Sequence, residues 1–507
     1  MSDEKLFYMG IDIGTFETKG VIIDQSCSII VTHVEKHGLE NHRPGYYEHD
    51  AEKVWWHDFC ATSRALLKKA AVSNSQIACI GASTLGCDCL PVDEDCQPLR
   101  KAILYGIDSR AQKEIAYLAD YYGEKDVKRI FGRPICTGDV APKILWLKNN
   151  EPDVYKNAKK FLTGVSYIVA KLTGEYKLDG FLGRASFRPF YREDGRIDKK
   201  ACSIFCSPDQ IARTAKSTDI AGYVTDRAAD QTGLAVGTSV IVGTGDSAAE
   251  AISTGILNAG DLMLQFGSSL FIYCCTDHLV EDDRIRGNNY TIPGMFSVAA
   301  GTNTCGTLTR WYRDTIFPDF LANELAGGEN AFGTMLSGLE KIPAGSDGLV
   351  TLPYFAGERT PINDPNAKGM IFGLNLKHTR SHLYKSALES VGYSVSQHIE
   401  ILHELGIKIG KVMAVGGGTK SRVWMQIIAD VIGMDIGIAK VTLGAAYGDA
   451  LMAALGTGRF NNFSELEKVI KLETVITPNL RNHEKYKEFR RIFDVLYLNN
   501  KELMHRI

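Results

Sequence analysis

The chain has 507 residues, 45% of them hydrophobic, and a formal net charge of −3. That length makes two domains or more the expectation, with apolar material for a core in each. Acids and bases nearly balance, 60 Asp and Glu against 57 Lys and Arg, which excludes the basic footprint of a nucleic-acid binder and an acidic tail. No apolar run approaches the ~18 residues of a membrane helix. The start, Met1-Ser2-Asp3-Glu4-Lys5, reads as too polar and too short for a secretory leader. Twelve cysteines are scattered, and Cys87-Asp88-Cys89 and Cys202/Cys206 fit metal-ligand spacing poorly. Reduced, buried thiols in a cytoplasmic protein are expected.

In chain order, residues 6–11, 18–24 and 29–34 read as three strands of a meander. Asp12-Ile13-Gly14-Thr15 turns between the first two, with Lys19 just beyond. The N–H groups of such a turn can cradle phosphate, and Asp12 can hold a hydrated Mg²⁺. The same sequence also suits an ordinary hairpin turn. Residues 44–50 form a loop before an amphipathic helix over 51–71, with Trp55 and Trp56 as core. A strand over 77–82 leads into Ser83-Thr84-Leu85-Gly86-Cys87-Asp88-Cys89. Asp108 and Arg110 follow a short strand at 103–105, where they can hydrogen-bond a polyol or pair with each other. Residues 143–147 belong to a helix with one apolar face.

Residues 239–242 are a buried strand, Gly243-Thr244-Gly245-Asp246 breaks it, and 247–252 resumes with helical spacing. A lone Asp at such a junction lies where α/β proteins bind ligands, in the crevice at the carboxyl ends of the strands. It suits a general base or a metal carboxylate, or a simple helix cap. The domain boundary is set here, with 1–248 as the first domain and 249–507 as the second.

The second half opens like the first: a strand at 261–266, Gly267-Ser268-Ser269, and a strand at 270–274. Residues 296–300 lead to Gly301-Thr302-Asn303-Thr304-Cys305-Gly306 and a helix through Trp311. A strand at 411–415 runs into Gly416-Gly417-Gly418-Thr419 and a helix over 421–432. Three glycines there let backbone approach a planar or phosphate ligand closely. The run is not GxGxxG, and no acidic ribose reader follows it, which disfavours a dinucleotide oxidoreductase. Leu443-Gly444-Ala445-Ala446-Tyr447-Gly448-Asp449-Ala450 begins a small-residue helix expected to pack against that glycine loop.

These pieces, in this order, resemble the FGGY family of carbohydrate kinases over nearly the whole chain. Gly369-Met370-Ile371-Phe372-Gly373-Leu374, then His382-Leu383 through Ser386-Ala387-Leu388-Glu389, fits the family's C-terminal signature. Gly138 to Asn150 fits its N-terminal signature, except that Val140 stands where Pro, Ser or Thr is usual. The stretch from Gly416 to Asp430 is similar to the adenosine loop and helix. The resemblance implies an α/β fold of two actin-like, ribonuclease-H-like ATPase domains facing a central cleft. It implies ATP mainly on the C-terminal domain and a sugar on the N-terminal one. Such an architecture suits phosphoryl transfer, which needs positioning, charge neutralisation and exclusion of water.

By the resemblance, Asp246 takes the proton of the sugar hydroxyl and Asp12 holds Mg²⁺ through water. Thr15 and Lys19 meet the γ-phosphate, and Gly14 is cofactor-binding beside them; Gly267, Ser268 and Gly306 line the phosphates; Gly417 and Gly418 border the adenosine. Thr84, Asp88, Asp108 and Arg110, with Asp246, are the expected substrate contacts. The chain departs from the family where xylulokinases have Met-His and glycerol kinases Arg-Glu: here stand Gly86 and Cys87, which leave space and few hydrogen bonds. Tyr105 or Gly106 replaces a Trp before Asp-x-Arg, and Ser247 replaces the Asn or Gln that often follows the catalytic Asp. The expected acceptor is an uncommon ketose or a sugar alcohol, xylulose being the nearest named one, and a homodimer is the oligomer considered. Glycerol kinase-like activity and an actin-like ATPase switch without a sugar remain the alternatives.

Overall fold

The computed structural model describes residues 6–507; the polar start at 1–5, expected to be no leader, lies outside the described residues. The chain forms two compact units. The first takes the chain up to Leu257, then Asn288–Phe296 and Leu443–Ile470; the second takes Asn258–Gly287, Ser297–Thr442 and Lys471–Ile507. The boundary expected between 248 and 249 falls inside the Asp246–Ser253 helix, where a break would cost that helix its hydrogen bonds. Among the described residues no helix is long and apolar enough to cross a membrane.

In the first unit the apolar, β-branched strand Phe7–Ile13 is central and buried except at Asp12. It pairs antiparallel with Glu17–Asp24, which pairs antiparallel with Ile29–Lys36, completing the meander. On its other side it runs parallel to Ile77–Thr84, which in turn runs parallel to Ser239–Ile241 and to the two residues Thr244–Gly245. Register then decides the site: Asp12 stands opposite Lys19 on one neighbour and opposite Ser83 on the other, and Ser83 stands opposite Thr244. The helix expected over 51–71 is a π-helical turn, Ala51–Trp56, followed by the α-helix His57–Ala70. Its tryptophans are core, and Trp55 Nε1 donates to His49 Nδ1 at 3.0 Å.

The small-residue helix Ala445–Gly456 packs on the strands Phe7–Ile13 and Ile77–Thr84 and on the helix Asp246–Ser253, all within the first unit. Glycine makes that contact possible: a Cβ at Gly10 would lie 2.0 Å from Ala446 O, and one at Gly81 would lie 2.3 Å from Asp449 O.

The second unit repeats the strand–turn–strand plan. Asp261–Phe266 pairs antiparallel with Leu270–Thr276 and parallel with Lys411–Gly416, beyond which come Ile436–Ala439 and Leu472–Ile476. The helices Arg380–Glu404 and Arg422–Ile432 bury apolar faces in one core with these strands. The C-terminal signature is part of that scaffold. Glu389 is fully buried and accepts hydrogen bonds from Gly345 N (3.0 Å), Ser346 Oγ (2.8 Å) and Tyr486 OH (2.9 Å), tying the long helix to a loop and to the last helix.

Candidate active site

The first unit gathers carboxylates at the ends of its central strands. Asp246 begins the Asp246–Ser253 helix, and its Oδ1 accepts the Ser247 N–H at 2.6 Å. Burial pushes its pKa up to about 7, with the charges of Glu250 and Asp88 adding to the rise. Asp12 is pushed up to about 7 by burial and then by the charge of Asp246, against a hydrogen bond from Ser83 and the charge of Lys19. Glu250, one helical turn after Asp246, also rises to about 7 through burial and the charge of Asp12. Asp449 is fully buried and held well above the carboxylate range by burial and by Asp12. Ser83 Oγ lies 2.9 Å from Asp12 Oδ1 and 2.6 Å from Asp449 Oδ2.

The turn between the first two strands is braced from below. Gly14 N donates to Glu17 O at 3.0 Å, His37 Nε2 lies 3.0 Å from Gly14 O, and His49 Nε2 lies 3.1 Å from Thr15 O. Thr15 Oγ1 is 3.2 Å from Tyr105 OH. Lys19 pairs with Glu17 at 2.8 Å. Burial alone would lower the Lys19 pKa, but Glu17, Asp12 and Glu250 raise it, so the ammonium stays charged beside the cluster.

These donors fit a divalent cation. Hard carboxylate oxygens that raise one another's pKa are the chemistry Mg²⁺ relieves. Among the described residues no three His, Cys, Asp or Glu side chains converge as direct ligands. The fit is therefore to an ion held mostly by water and phosphate, with one carboxylate of the chain as anchor.

The expected acceptor contacts divide. Asp88 is fully buried, accepts Tyr105 N at 3.0 Å through Oδ1, and has no hydrogen-bond partner on Oδ2 among the described residues. Burial lifts its pKa to about 7 against the charge of Lys143. That lysine, from the N-terminal signature, is itself buried and donates to Cys87 O and Leu104 O at 2.7 Å each. Thr84 is packed against Gly164, where an added Cβ would come 2.8 Å from its Oγ1. Asp108 and Arg110, expected to grip the acceptor, are committed to each other. Asp108 accepts Arg110 Nε (3.0 Å), Nη2 (2.7 Å) and N (3.0 Å) as well as Tyr47 N (2.7 Å), and Arg110 Nη1 donates to Glu48 at 2.8 Å. Both side chains are 1% exposed, and Asp108 spends both carboxyl oxygens on these donors. The space expected beside Gly86 is also filled. Its φ is +85°, and a Cβ there would stand 3.0 Å from Leu182 Cδ2. Cys87 Sγ lies 2.9 Å from Ser186 Oγ.

In the second unit Gly267, Ser268, Gly306, Gly417 and Gly418 all line one cavity of about 700 Å³, a size that suits a nucleotide. Gly306 N donates to Gly267 O at 2.9 Å, and Cys305 N and Thr307 N both donate to Ser268 O at 3.0 Å. A Cβ on Gly306 would be 2.6 Å from Gly267 O, so only glycine lets these turns touch. Gly418 is pressed just as closely on Phe266, 2.7 Å from where its Cβ would be. Arg310, Arg313 and Lys420 add positive charge to the same wall.

Ser83, Lys143, Glu250 and Asp449 were not singled out from the sequence. Glu250 carried a signal in its position four residues after Asp246, which puts both on one helix face. Asp449 carried one as the lone charged residue in the run from Leu443 to Gly456.

Comparison with known proteins is consistent over the full length. Residues 7–253 match the N-terminal domain, and residues 262–457 the C-terminal domain, of the FGGY family of carbohydrate kinases. The chain is 28% identical over 498 residues to a xylulose kinase of Staphylococcus epidermidis (strain ATCC 12228 / FDA PCI 1200), covering 98% of this chain and 97% of that protein. It is 28% identical over 504 residues to the xylulose kinase of Bacillus subtilis (strain 168), covering 98% of each. The crystal structure of xylulose kinase from Rhodospirillum rubrum superposes with a TM-score of 0.89 at 27% identity, covering 98% of this chain and 100% of that one.

Proposed function

This chain belongs to the FGGY family of carbohydrate kinases and is an ATP-dependent sugar kinase, and we propose that its acceptor is a ketose of the xylulose type or a sugar alcohol, with Asp246 as general base. The observation that carries the base assignment is the environment of Asp246. Its carboxyl opens a helix, is held near pKa 7 by burial and neighbouring acids, and forms no ion pair with a basic side chain among the described residues. A carboxylate of ordinary pKa takes a proton poorly near neutrality, whereas one at about 7 is matched to the task.

In this reading Asp246 accepts the hydroxyl proton as the acceptor oxygen attacks the γ-phosphorus. Gly14, whose N–H closes the turn on Glu17 O, brings the backbone close to the γ-phosphate, Thr15 offers it an O–H group, and Lys19 offers it positive charge. Asp12 anchors Mg²⁺ through water; when bound, the ion neutralises charge on the β- and γ-phosphates. Gly267, Ser268 and Gly306 hold the phosphate chain, and Gly417 and Gly418 border the adenosine. The first unit thus serves the acceptor and the second the nucleotide. Asp88, with a carboxyl oxygen unpartnered and near pKa 7, is the acceptor contact its surroundings favour. Asp108 and Arg110 serve as the brace behind it. The relatives named xylulose kinase support a pentulose, and twelve thiols, most of them buried, support work in the cytoplasm.

The test is ADP release measured over a panel of pentuloses, hexuloses, pentitols and glycerol, with ATP alone as control. Strong stimulation by a pentulose or pentitol is expected. Equal ATP turnover with and without every sugar would replace the kinase reading by an ATPase switch, and a sole preference for glycerol would overturn the acceptor class.

A further inference from the structure

The Asp449–Ser83–Asp12 chain has a hydrogen count that does not close with two ordinary carboxylates. Ser83 has one hydroxyl hydrogen, yet its Oγ is within hydrogen-bond distance of Asp12 Oδ1 (2.9 Å) and of Asp449 Oδ2 (2.6 Å). One carboxyl must therefore bring a hydrogen of its own. Asp12 sits at the rim of its strand beside Lys19, where a negative charge has use. Asp449 is fully buried on a helix that is otherwise apolar or glycine, and among the described residues it meets no basic side chain. It is the member that is neutral.

The helix that carries Asp449 is placed by contacts that leave little freedom. Gly10 and Gly81 let its backbone lie directly on the two central strands, and Gly448 lets it lie on the Asp246–Ser253 helix, where a Cβ would be 1.9 Å from Ala249 O. An apolar residue at 449 would fill such a place without leaving a polar atom, here Oδ1, unpartnered. An acid kept there against that cost has a task that packing does not supply.

We infer that Asp449 positions Asp12: its neutral carboxyl donates a hydrogen bond to Ser83 Oγ, which fixes the Ser83 hydrogen on Asp12 Oδ1 and leaves Asp12 Oδ2 turned to the ligand. Asp449 is a positioning residue, two hydrogen bonds away from the charge it orients. The device holds one carboxylate in one rotamer without adding a further negative charge to a cluster that already contains Asp246 and Glu250. This rests on the reading of Asp12 as the anchor for Mg²⁺.

The experiment is calorimetric titration of ATP into the full-length protein at a series of Mg²⁺ concentrations and in EDTA, beside the Mg²⁺ dependence of turnover. Ser83→Ala and Asp449→Ala should each raise the Mg²⁺ concentration at half effect by about tenfold, the usual cost of losing a residue that orients a metal-facing group. ATP affinity in EDTA and the KM of the sugar should stay put. Asp449→Asn, whose amide N–H can donate to Ser83 Oγ, should restore the parent's midpoint, and the double alanine variant should be no worse than either single one. Coincident Mg²⁺ curves for Asp449→Ala and the parent, with Asp12→Ala shifted, would overturn this inference alone. Loss of rescue by Asn, with Asn and Ala alike, would overturn it too. An unshifted Asp12→Ala would overturn both it and the reading on which it rests.

Discussion

Replacing Asp246 by Asn separates catalysis from stability in one experiment. The amide keeps the shape and keeps Oδ1 as acceptor for Ser247 N, which is 2.6 Å away. It removes the basicity. General-base catalysis contributes roughly 10²–10⁴-fold, so turnover should fall by at least about the lower figure while calorimetry still detects ATP binding. The parent's turnover should rise with pH through about 7, the value to which burial lifts this carboxyl, because only its ionised form accepts a proton. Stability should move the other way. The folded pKa lies above the unfolded one, so the folded chain holds the extra proton, and stability is lost as pH rises through about 7. Between pH 6 and pH 8 the folded carboxyl releases its proton while the unfolded one has almost none left, which removes about 1.4 kcal/mol. Asn has no such penalty. Its melting temperature relative to the parent should therefore be more favourable at pH 8 than at pH 6, by about 2–4 °C for a domain of this size. Scanning fluorimetry without ligands reads the second effect and ADP release the first. Near-normal turnover of the variant would refute the base assignment, and a pH-independent difference in melting would refute the account of its pKa.

Three further substitutions probe the rest of the site. Asp12→Ala should raise the Mg²⁺ requirement and depress turnover, because a hydrated ion needs one or two carboxylates to anchor it; superimposed magnesium titrations would reduce Asp12 to a turn former. Gly306→Ala puts a Cβ 2.6 Å from Gly267 O and should raise the KM for ATP by about tenfold through forced backbone movement, leaving the sugar KM alone; unchanged ATP kinetics would show that the Gly267–Gly306 contact does not shape the nucleotide cavity. Asp108→Ala strips a buried arginine of one carboxylate and should cost about 3 kcal/mol, read as a lower melting temperature; a raised sugar KM with unchanged melting would return Asp108 to the acceptor.

The strands of both hairpins, the Gly245–Asp246 junction and the glycine turns of the second unit were legible because each follows from local chemistry. β-Branched apolar runs make buried strands, and small residues mark turns that must touch. The residues expected at the nucleotide line one cavity for the same reason. What was not legible depends on partners distant in sequence. The residues Asp108 and Arg110 offered a polyol grip or a mutual pair, and what decides for the pair is Glu48 and Tyr47, some sixty residues earlier. Glycine at 86 suggested open space, and Leu182 fills it. The helix after Gly444 read correctly as closely packing, but its place on the strands of the first unit depends on Gly10 and Gly81, more than 360 residues away. Even the C-terminal signature, whose order identified the family, turns out to hold Glu389 in a buried hydrogen-bond network of the scaffold.

The charge arrangement of the first unit explains why its packing is so tight. Asp12, Asp88, Asp246 and Glu250 all lie near pKa 7; burial is the first cause in each, and for Asp12, Asp246 and Glu250 the charges of neighbouring acids add to it. Such a cluster opposes folding whenever it is ionised, yet its ionised form is the one that can take a proton and anchor a cation. If the surrounding elements could give way, the carboxylates would separate or admit water, their pKa values would drop, and Asp246 would lose basicity. The strand register at Asp12, Lys19 and Ser83 and the glycine contacts under Ala446, Asp449 and Ala249 prevent that relaxation. Rigidity is thus part of the proposed chemistry: as the base, Asp246 would keep its strength because these contacts hold the carboxylates together.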